Sequence, residues 1–272
     1  MTEDTISSES LTVEQAIANL TQTDDPSLRY YAAWWLGRFR VTEPVAIAAL
    51  EAALTDTTDR SPDGGYPLRR NAARALGKLG QPQVGPALIA CLDCTDYYVR
   101  EAAAQALADL GDRACIPILQ DKLGGGVAAA VTVPGKPHLV EPYGAILEAL
   151  GALGATDAVS AIQPFLAHPQ PTVQNSAARA LYQLTGDAAY GERLVAALQG
   201  PELQLRRSAL MDLGAIGYLP AAAAIAQALT ENSLKLIALK GVLDQHLADP
   251  VDQPPPLAAE TIEVMALMDG LL

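Results

Sequence analysis

Aromatic side chains are scarce in this chain. They make up 5% of its residues, whereas hydrophobic residues make up half. A core with so few rings must be built from Ala, Leu, Ile and Val, whose small and branched side chains let backbones approach closely. Cysteine is scarcer still, with only Cys91, Cys94 and Cys115. An odd number of cysteines at these spacings is no disulfide framework. The C-x-x-C pair Cys91/Cys94 has no second pair and no supporting His, so no metal site is expected and buried free thiols are.

Positive charge is also in short supply. The 18 Lys and Arg face 31 Asp and Glu, a net charge of −13. Such a field excludes a nucleic-acid partner, because phosphates require a positive surface. A local Arg cluster can still hold a small anion. No apolar run reaches the roughly 18–20 residues needed to span a bilayer. The first ten residues are polar and acidic, without the basic and apolar regions of a signal peptide. Phosphate-loop, dinucleotide-fold, zinc-protease and nucleophile-elbow motifs are all missing. Gly124-Gly125-Gly126 is followed by no Lys-Ser/Thr, so it reads as a joint and not as a phosphate cradle.

What the chain does contain is a repeat. LRYYAAWWLG from Leu28 overlays LRRNAARALG from Leu68, VREAAAQALA from Val99, PYGAILEALG from Pro142, VQNSAARALY from Val173, LRRSALMDLG from Leu205 and LKLIALKGVL from Leu234. The late apolar anchors are Leu36, Leu76, Leu107, Leu150, Leu181, Leu213 and Val242, which sets a basal period near 31 residues with two insertions of about ten. A Gly or short turn follows each anchor helix. A second apolar helix then opens, often with Pro in its first turn, as at Pro86 and Pro117. One such pair cannot bury its own apolar face, but stacked pairs can. The expected fold is all-α: an α-solenoid (superhelix) of HEAT-like helix-pair repeats. Residues 1–11 are expected to be a disordered N-terminus, 12–245 the repeat solenoid, and 246–272 a Pro-rich linker and C-terminal tail. Thr12-Val-Glu-Gln15 fits a capping box that opens the first helix. The tail segment after Leu257 is left open between capping the repeats, binding a partner and moving freely.

A repeat supplies its own control, and the first repeat departs most from it. Trp34 shares a register with Arg74, Gln105, Glu148, Arg179, Met211 and Lys240, which is mostly polar and hence exposed. Tyr30 shares another polar register, with Arg70, Glu101 and Arg207 among its members. Tyr30, Trp34 and Arg38 then follow one another along a helix face. An exposed aromatic stripe ending in an Arg suits a flat ligand with acidic arms; a covering helix from residues 12–22 is the structural alternative. Tyr31 and Trp35 stand where other repeats carry small residues, so they read mainly as core filling. A basic register runs through Arg29, Arg69, Arg100, Arg206 and Lys235 and reads as a structural ladder, each member pairing with an Asp before its helix. Arg70 and Arg207 lie outside it. The first insertion holds Asp59, Arg60, Asp63 and Tyr66; the second holds Lys136, His138 and Tyr143. Loops on a rigid scaffold often carry function. His138 is a weak candidate for proton transfer, while His168 and His246 suit ordinary surface or capping roles.

The strings from Tyr30 to Arg40, Asp59 to Gly80, Asp96 to Leu107, Gly135 to Leu139, Leu203 to Pro220 and Asn232 to Gly241, both insertions included, resemble the E-type chains of heterodimeric bilin lyases that serve the phycocyanin α subunit. The resemblance covers about residues 12–245. It implies a lyase, active with an F-type partner, that binds phycocyanobilin, an open-chain tetrapyrrole. It would deliver the bilin to the phycocyanin α subunit as a thioether between the ring A ethylidene and an acceptor cysteine, and would also run in reverse. The implied setting is the cyanobacterial cytosol and phycobilisome assembly. No cofactor is implied, since the bilin is substrate. Under this reading Tyr30, Tyr31, Trp34, Trp35, Arg38, Tyr66, Arg69, Arg70 and Arg100 are the bilin-binding candidates. Asp59, Asp63 and His138 are candidates for pyrrole-nitrogen contacts or proton transfer. The alternatives are an E-type lyase for another bilin or phycobiliprotein acceptor, a non-catalytic HEAT scaffold that only binds proteins, and a protein that detaches bilin.

Overall fold

The computed structural model describes residues 11–247 and 258–272. The expected disordered N-terminus, apart from Leu11, and the Pro-rich linker therefore lie outside the described residues. Those residues are helical, with one isolated antiparallel bridge between Thr132 and Leu139. No helix among them is long and apolar enough to cross a membrane. The chain forms two compact units, Met1–Cys115 and Ile116–Leu272.

The first unit contains α1 (Val13–Thr21), α2 (Pro26–Arg38), α3 (Pro44–Ala53), α4 (Pro67–Leu79), α5 (Gly85–Cys91) and α6 (Tyr97–Leu110). Their starts follow local chemistry. The Thr12/Gln15 capping box opens α1, with reciprocal bonds of 3.2 and 2.9 Å. Asp25 caps α2 through the Ser27 N–H at 2.8 Å, with Pro26 in the first turn. Asp96 caps α6 through Tyr98 N–H at 2.8 Å. Gly80 and Gly111 end α4 and α6 in the left-handed conformation. The anchors Leu36, Leu76 and Leu107 are fully buried, each contributing roughly 1.5–3 kcal/mol by removal from water.

The anchor helices α2, α4 and α6 pack in sequence. The glycine after each of the first two anchors makes this possible. A Cβ on Gly37 would lie 2.7 Å from Ala75 Cα, and one on Gly77 would lie 2.7 Å from Ala106 Cα. Backbone meets backbone there, so no side-chain movement relieves the clash.

The basic ladder exists, but its partners differ from the expected ones. Each Arg donates to carbonyls in the last turn of the preceding helix or in the turn just beyond it. Arg29 Nε reaches Leu20 O at 3.1 Å, Arg69 reaches Asp56 O at 2.5 Å and Thr55 O at 3.2 Å, and Arg100 reaches Cys94 O at 2.7 Å. In the second unit Arg206 reaches Gly200 O at 2.7 Å. Carbonyls at a helix end and in the turn after it lack intrahelical donors, and a guanidinium supplies one or two. Asp96, expected to pair with Arg100, instead caps its own helix and accepts from Tyr66 N–H at 2.6 Å.

The second unit contains α7 (Ile116–Lys122), α8 (Gly126–Ala129), α9 (Tyr143–Ala152), α10 (Val159–Ile162), α11 (Pro171–Thr185), α12 (Ala188–Ala197), α13 (Leu203–Ile216), α14 (Ala222–Gln227), α15 (Asn232–Asp244) and α16 (Ala259–Asp269). The anchors Leu150, Leu181, Leu213 and Val242 are fully buried. Helices α9, α11, α13 and α15 pack in that order. Gly151 and Gly214 repeat the close approach, against Ala180 and Ala238. Of the roles left open for the tail segment, the structure shows docking: α16 packs on α14 and α15 with Val264 and Thr261 buried. His168 is buried, not at the surface. Its Nδ1 accepts from Gln170 N–H at 3.0 Å, so its Nε2 carries the proton and donates to Ala130 O at 2.9 Å. It locks the second insertion to α11.

One polar cluster bridges α9, α11 and α13. Arg179 lies 3.1 Å from Glu148 and 3.4 Å from Asp212. Ser176 donates to Glu148 at 2.6 Å and Ser208 lies 3.4 Å from Asp212. Two carboxylates thus share one cation. Burial, and then the charge of Glu148, push the Asp212 carboxyl up to about 7 despite Arg179 and Ser208.

Gly77→Ala is expected to lower stability by about 1–3 kcal/mol through backbone displacement, read from urea melts. An unchanged midpoint would contradict the close-packed stack. The folded chain holds the Asp212 proton more tightly than the unfolded chain, so this group's stabilisation is lost as pH rises from about 4 to about 7. Asp212→Asn keeps an acceptor for Arg179 without the charge. Its stability advantage is expected near zero at about pH 4 and greatest from about pH 7 upward; a pH-independent difference in urea melts would refute this.

Candidate functional site

In the first unit, helix geometry decides which aromatic residues of α2 face solvent. Arg29, Ala32, Ala33, Leu36 and Gly37 are buried, which fixes the phase of the helix. The opposite side then carries Tyr31, Trp34 and Arg38. Tyr31 is 49% and Trp34 48% exposed, with their rings 5.5 Å apart. Tyr31 was expected in the core, and its exposure corrects that reading. The small residues of its register reflect tight spacing between later helices, not a hole that a ring must fill. Trp35 is half-buried against Phe39 at 4.8 Å, and the Arg38 guanidinium lies 6.0 Å from the Phe39 ring. Helix α1 packs on α2 but leaves Trp34 open. The exposed stripe therefore runs Tyr31–Trp34–Arg38.

Tyr30 turns the other way, toward the first insertion. Burial, then the neighbouring Asp59 carboxylate, raise the Tyr30 phenol pKa, so the phenol stays protonated. Asp59 is itself held by Asp56, whose Oδ1 accepts from Asp59 N–H at 3.1 Å. Asp56 also takes Arg29 at 2.7 Å in an ion pair shielded from solvent. The Asp56 carboxyl is lowered by Arg29, Thr58 and the Asp59 N–H against the opposing effect of its burial. Asp59 Oδ2 and Arg70 Nε are both buried with no hydrogen-bond partner. Buried polar atoms without partners are uncommon in folded proteins. Two of opposite character beside the Tyr30 hydroxyl mark a place able to accept from a donor and donate to an acceptor. The Arg70 guanidinium lies 5.8 Å from the Tyr98 ring.

The rest of the insertion is held by cation–aromatic stacking. Tyr66 lies between Arg60 and Arg69, whose guanidinium carbons are 4.1 and 4.0 Å from its ring centre. Asp63 is exposed and accepts from Ser61 at 2.5 Å, a turn-forming contact. Arg69 and Arg100 spend guanidinium N–H groups on helix-end carbonyls, so their roles in the fold come first. His138 belongs to the second unit, where its half-buried Nδ1 lies 2.8 Å from Leu139 O and its own carbonyl accepts from Val133 N–H at 3.0 Å.

The structure thus brings together Tyr30, Asp59 and Arg70 in one cluster, Tyr31, Trp34 and Arg38 in one stripe, and Tyr66 and Arg69 in one stack. Sequence reasoning missed Asp56 as the hub of the insertion, Phe39 and Tyr98 as ring neighbours, and the Glu148–Arg179–Asp212 cluster. Only the last left a signal, an acid at position 212 where the same register holds Ala75, Ala106, Ala149 and Ala180.

Comparison with known proteins gives the family of the chain. Residues 61–131 and 141–214 match the family model for HEAT repeats, and residues 28–56 match the PBS lyase HEAT-like repeat. A phycocyanobilin lyase subunit alpha from Picosynechococcus sp. is 60% identical, with 97% of each chain covered. One from Nostoc sp. is 62% identical, covering 96% of this chain and 94% of that one. A solved structure of the complex of CpcE and CpcF of phycocyanin lyase from Nostoc sp. contains a chain that matches with a TM-score of 0.89 at 59% identity, with 100% of both covered. The bilin biosynthesis protein PecE of Mastigocladus laminosus is 45% identical over 87% of this chain and 83% of its own. The chain belongs to the HEAT-repeat family of phycocyanobilin lyase alpha subunits.

Proposed function

We propose that this chain is the alpha-type subunit of a phycocyanobilin lyase. With an F-type partner it attaches phycocyanobilin through a thioether to a cysteine of the phycocyanin α subunit, and it can run the transfer in reverse. The observation that carries this reading is the near-full-length identity of about 60% to alpha subunits of that lyase. The 45% identity to the PecE protein is lower, which favours phycocyanobilin lyase activity over the alternative reading of another bilin or acceptor. The setting is the cyanobacterial cytosol. The chain uses no cofactor, the bilin being its substrate.

The chemistry asks little of the lyase beyond placement. The acceptor's thiol is the nucleophile and the ring A ethylidene is the electrophile. The lyase must hold a flat, flexible chromophore in one geometry and keep it protonated, which makes the ethylidene more electrophilic. Tyr31 and Trp34 supply an open aromatic wall, and Arg38 lies one turn further along to meet a propionate. Asp59 Oδ2 is a buried acceptor for pyrrole N–H groups, and its negative charge favours the protonated bilin. Tyr30 lies beside Asp59, and Arg70 faces a ring carbonyl or propionate. Asp63, Trp35, Arg100 and His138 have weaker claims, since their contacts serve their own loops and helices.

The test mixes this chain with an F-type partner, apo phycocyanin α subunit and phycocyanobilin, and reads covalent bilin fluorescence on a denaturing gel. Fluorescence on the acceptor that needs both lyase chains is the expected result. Bilin binding with no transfer would move the reading to another acceptor; neither binding nor transfer with a folded complex would leave the scaffold reading. The combined Trp34→Ala and Arg38→Ala variant is expected to transfer at least about tenfold more slowly, equivalent to about 1.4 kcal/mol of barrier. Asp59→Asn is expected to weaken the red absorbance of the protonated bound bilin; an unchanged spectrum would remove Asp59 from the site.

A further inference from the structure

The first unit has a cavity of about 450 Å³ beside the ends of α3 and α5. It is distinct from the α2 stripe. Leu54 and Ala87 give it an apolar wall, Tyr66 and Arg69 form another side, and Cys91 and Cys94 both line it. It is open to solvent on the Cys94 side, where Thr95 and Asp93 are exposed.

The two thiols are not equivalent. Cys91 is buried in the last turn of α5, and burial pushes its thiol up to about 11, which keeps it protonated. Cys94, three residues on, is half-exposed, and Arg69 Nη1 lies 3.9 Å from its sulfur. That guanidinium cannot swing away. Its Nε and Nη2 are fixed on the Asp56 and Thr55 carbonyls, and its plane is stacked on Tyr66. A fixed positive charge beside a sulfur stabilises the negative charge that develops there as the sulfur attacks.

The lining also selects which end of a bilin enters. The apolar wall of Leu54 and Ala87 beside the Tyr66 ring suits a flat, uncharged ring better than the propionate-bearing central rings. A terminal ring is flat, uncharged on its outer edge and small enough for this volume. Of the two terminal rings, ring A carries the thiol-reactive ethylidene.

We propose that Cys94 captures ring A of the bilin as a reversible thioether, so that this cavity is a covalent holding site before delivery to the acceptor. The proposal rests on the bilin lyase reading. In the forward step a sulfur–carbon bond forms at the exocyclic ethylidene carbon, the exocyclic double bond is consumed, and the thiol's proton ends on the adjoining ring carbon. In release that ring proton leaves, the sulfur–carbon bond breaks toward sulfur, and the ethylidene is restored for the acceptor's thiol. Nothing is oxidised or reduced in either direction.

The experiment incubates the complex of this chain and an F-type partner with phycocyanobilin and no acceptor, records visible absorbance, then denatures in acid and measures intact mass. A gain of one bilin mass on this chain is expected. Cys94→Ser and Cys94→Ala should both lose the adduct and slow transfer to the acceptor at least tenfold, while Cys91→Ser should keep the adduct. Bound bilin by absorbance with no adduct on the wild-type chain would overturn the proposal, as would an adduct that survives both Cys94 substitutions. Transfer at the wild-type rate by the Cys94 variants would overturn it too, while leaving the lyase reading intact. No absorbance change in the wild-type complex would instead defeat the lyase reading, and the proposal with it.

Discussion

The contact on which the fold depends is backbone against backbone, between an anchor helix and the next. In both units the residue after an anchor leucine is a glycine seated on an alanine of the following helix, as Gly77 is on Ala106 and Gly214 is on Ala238. Within each unit, that spacing brings successive anchors within reach of one another. It also explains the composition. A stack this tight leaves little room for rings, so aromatic residues are few: Phe165, Tyr143 and Tyr218 are buried, while Tyr31, Trp34 and Phe39 lie at the surface.

Tight stacking also governs where charge can go. Guanidinium groups in the basic register cannot point into the stack, so they extend along it to the open carbonyls at the end of the preceding helix. Each thereby ties two helices together and orders the loop between them. The first insertion is built on this ladder. Asp56 receives Arg29, accepts from Thr58 and Asp59, and lends its carbonyl to Arg69. The presentation of Asp59 to Tyr30 and of Tyr66 to Arg69 follows from that one residue. Functional groups rest on a framework whose first duty is structural, and for that reason Arg69 reads equally well as ladder and as site.

The two units use the same register in different ways. In the first, α2 presents Tyr31, Trp34 and Arg38 to solvent. In the second, α11 turns Arg179 onto two carboxylates, and the polar atoms Asn175 Nδ2, Arg179 Nε and Gln183 Oε1 are buried without partners. Low local polarity makes such groups expensive. Their cost is offset by the packing of the same helices, and the same burial, with the charge of Glu148, raises the Asp212 carboxyl.

The sequence by itself determined the repeat, the helix starts, the buried anchors and the family. These depend on period, on caps and on glycines, all local in the chain. The exposed side of α2 was legible in part. Trp34 and Arg38 were placed on the open face by the polar register, but a shift of one residue in helical phase exchanged Tyr30 for Tyr31, because neighbouring residues differ by only about 100° around the axis. Tertiary structure alone decided the partners of the ladder, the Tyr30–Asp59–Arg70 cluster, the burial of His168 and the docking of α16. Each of these joins residues from different helices or loops, at distances that no local period encodes.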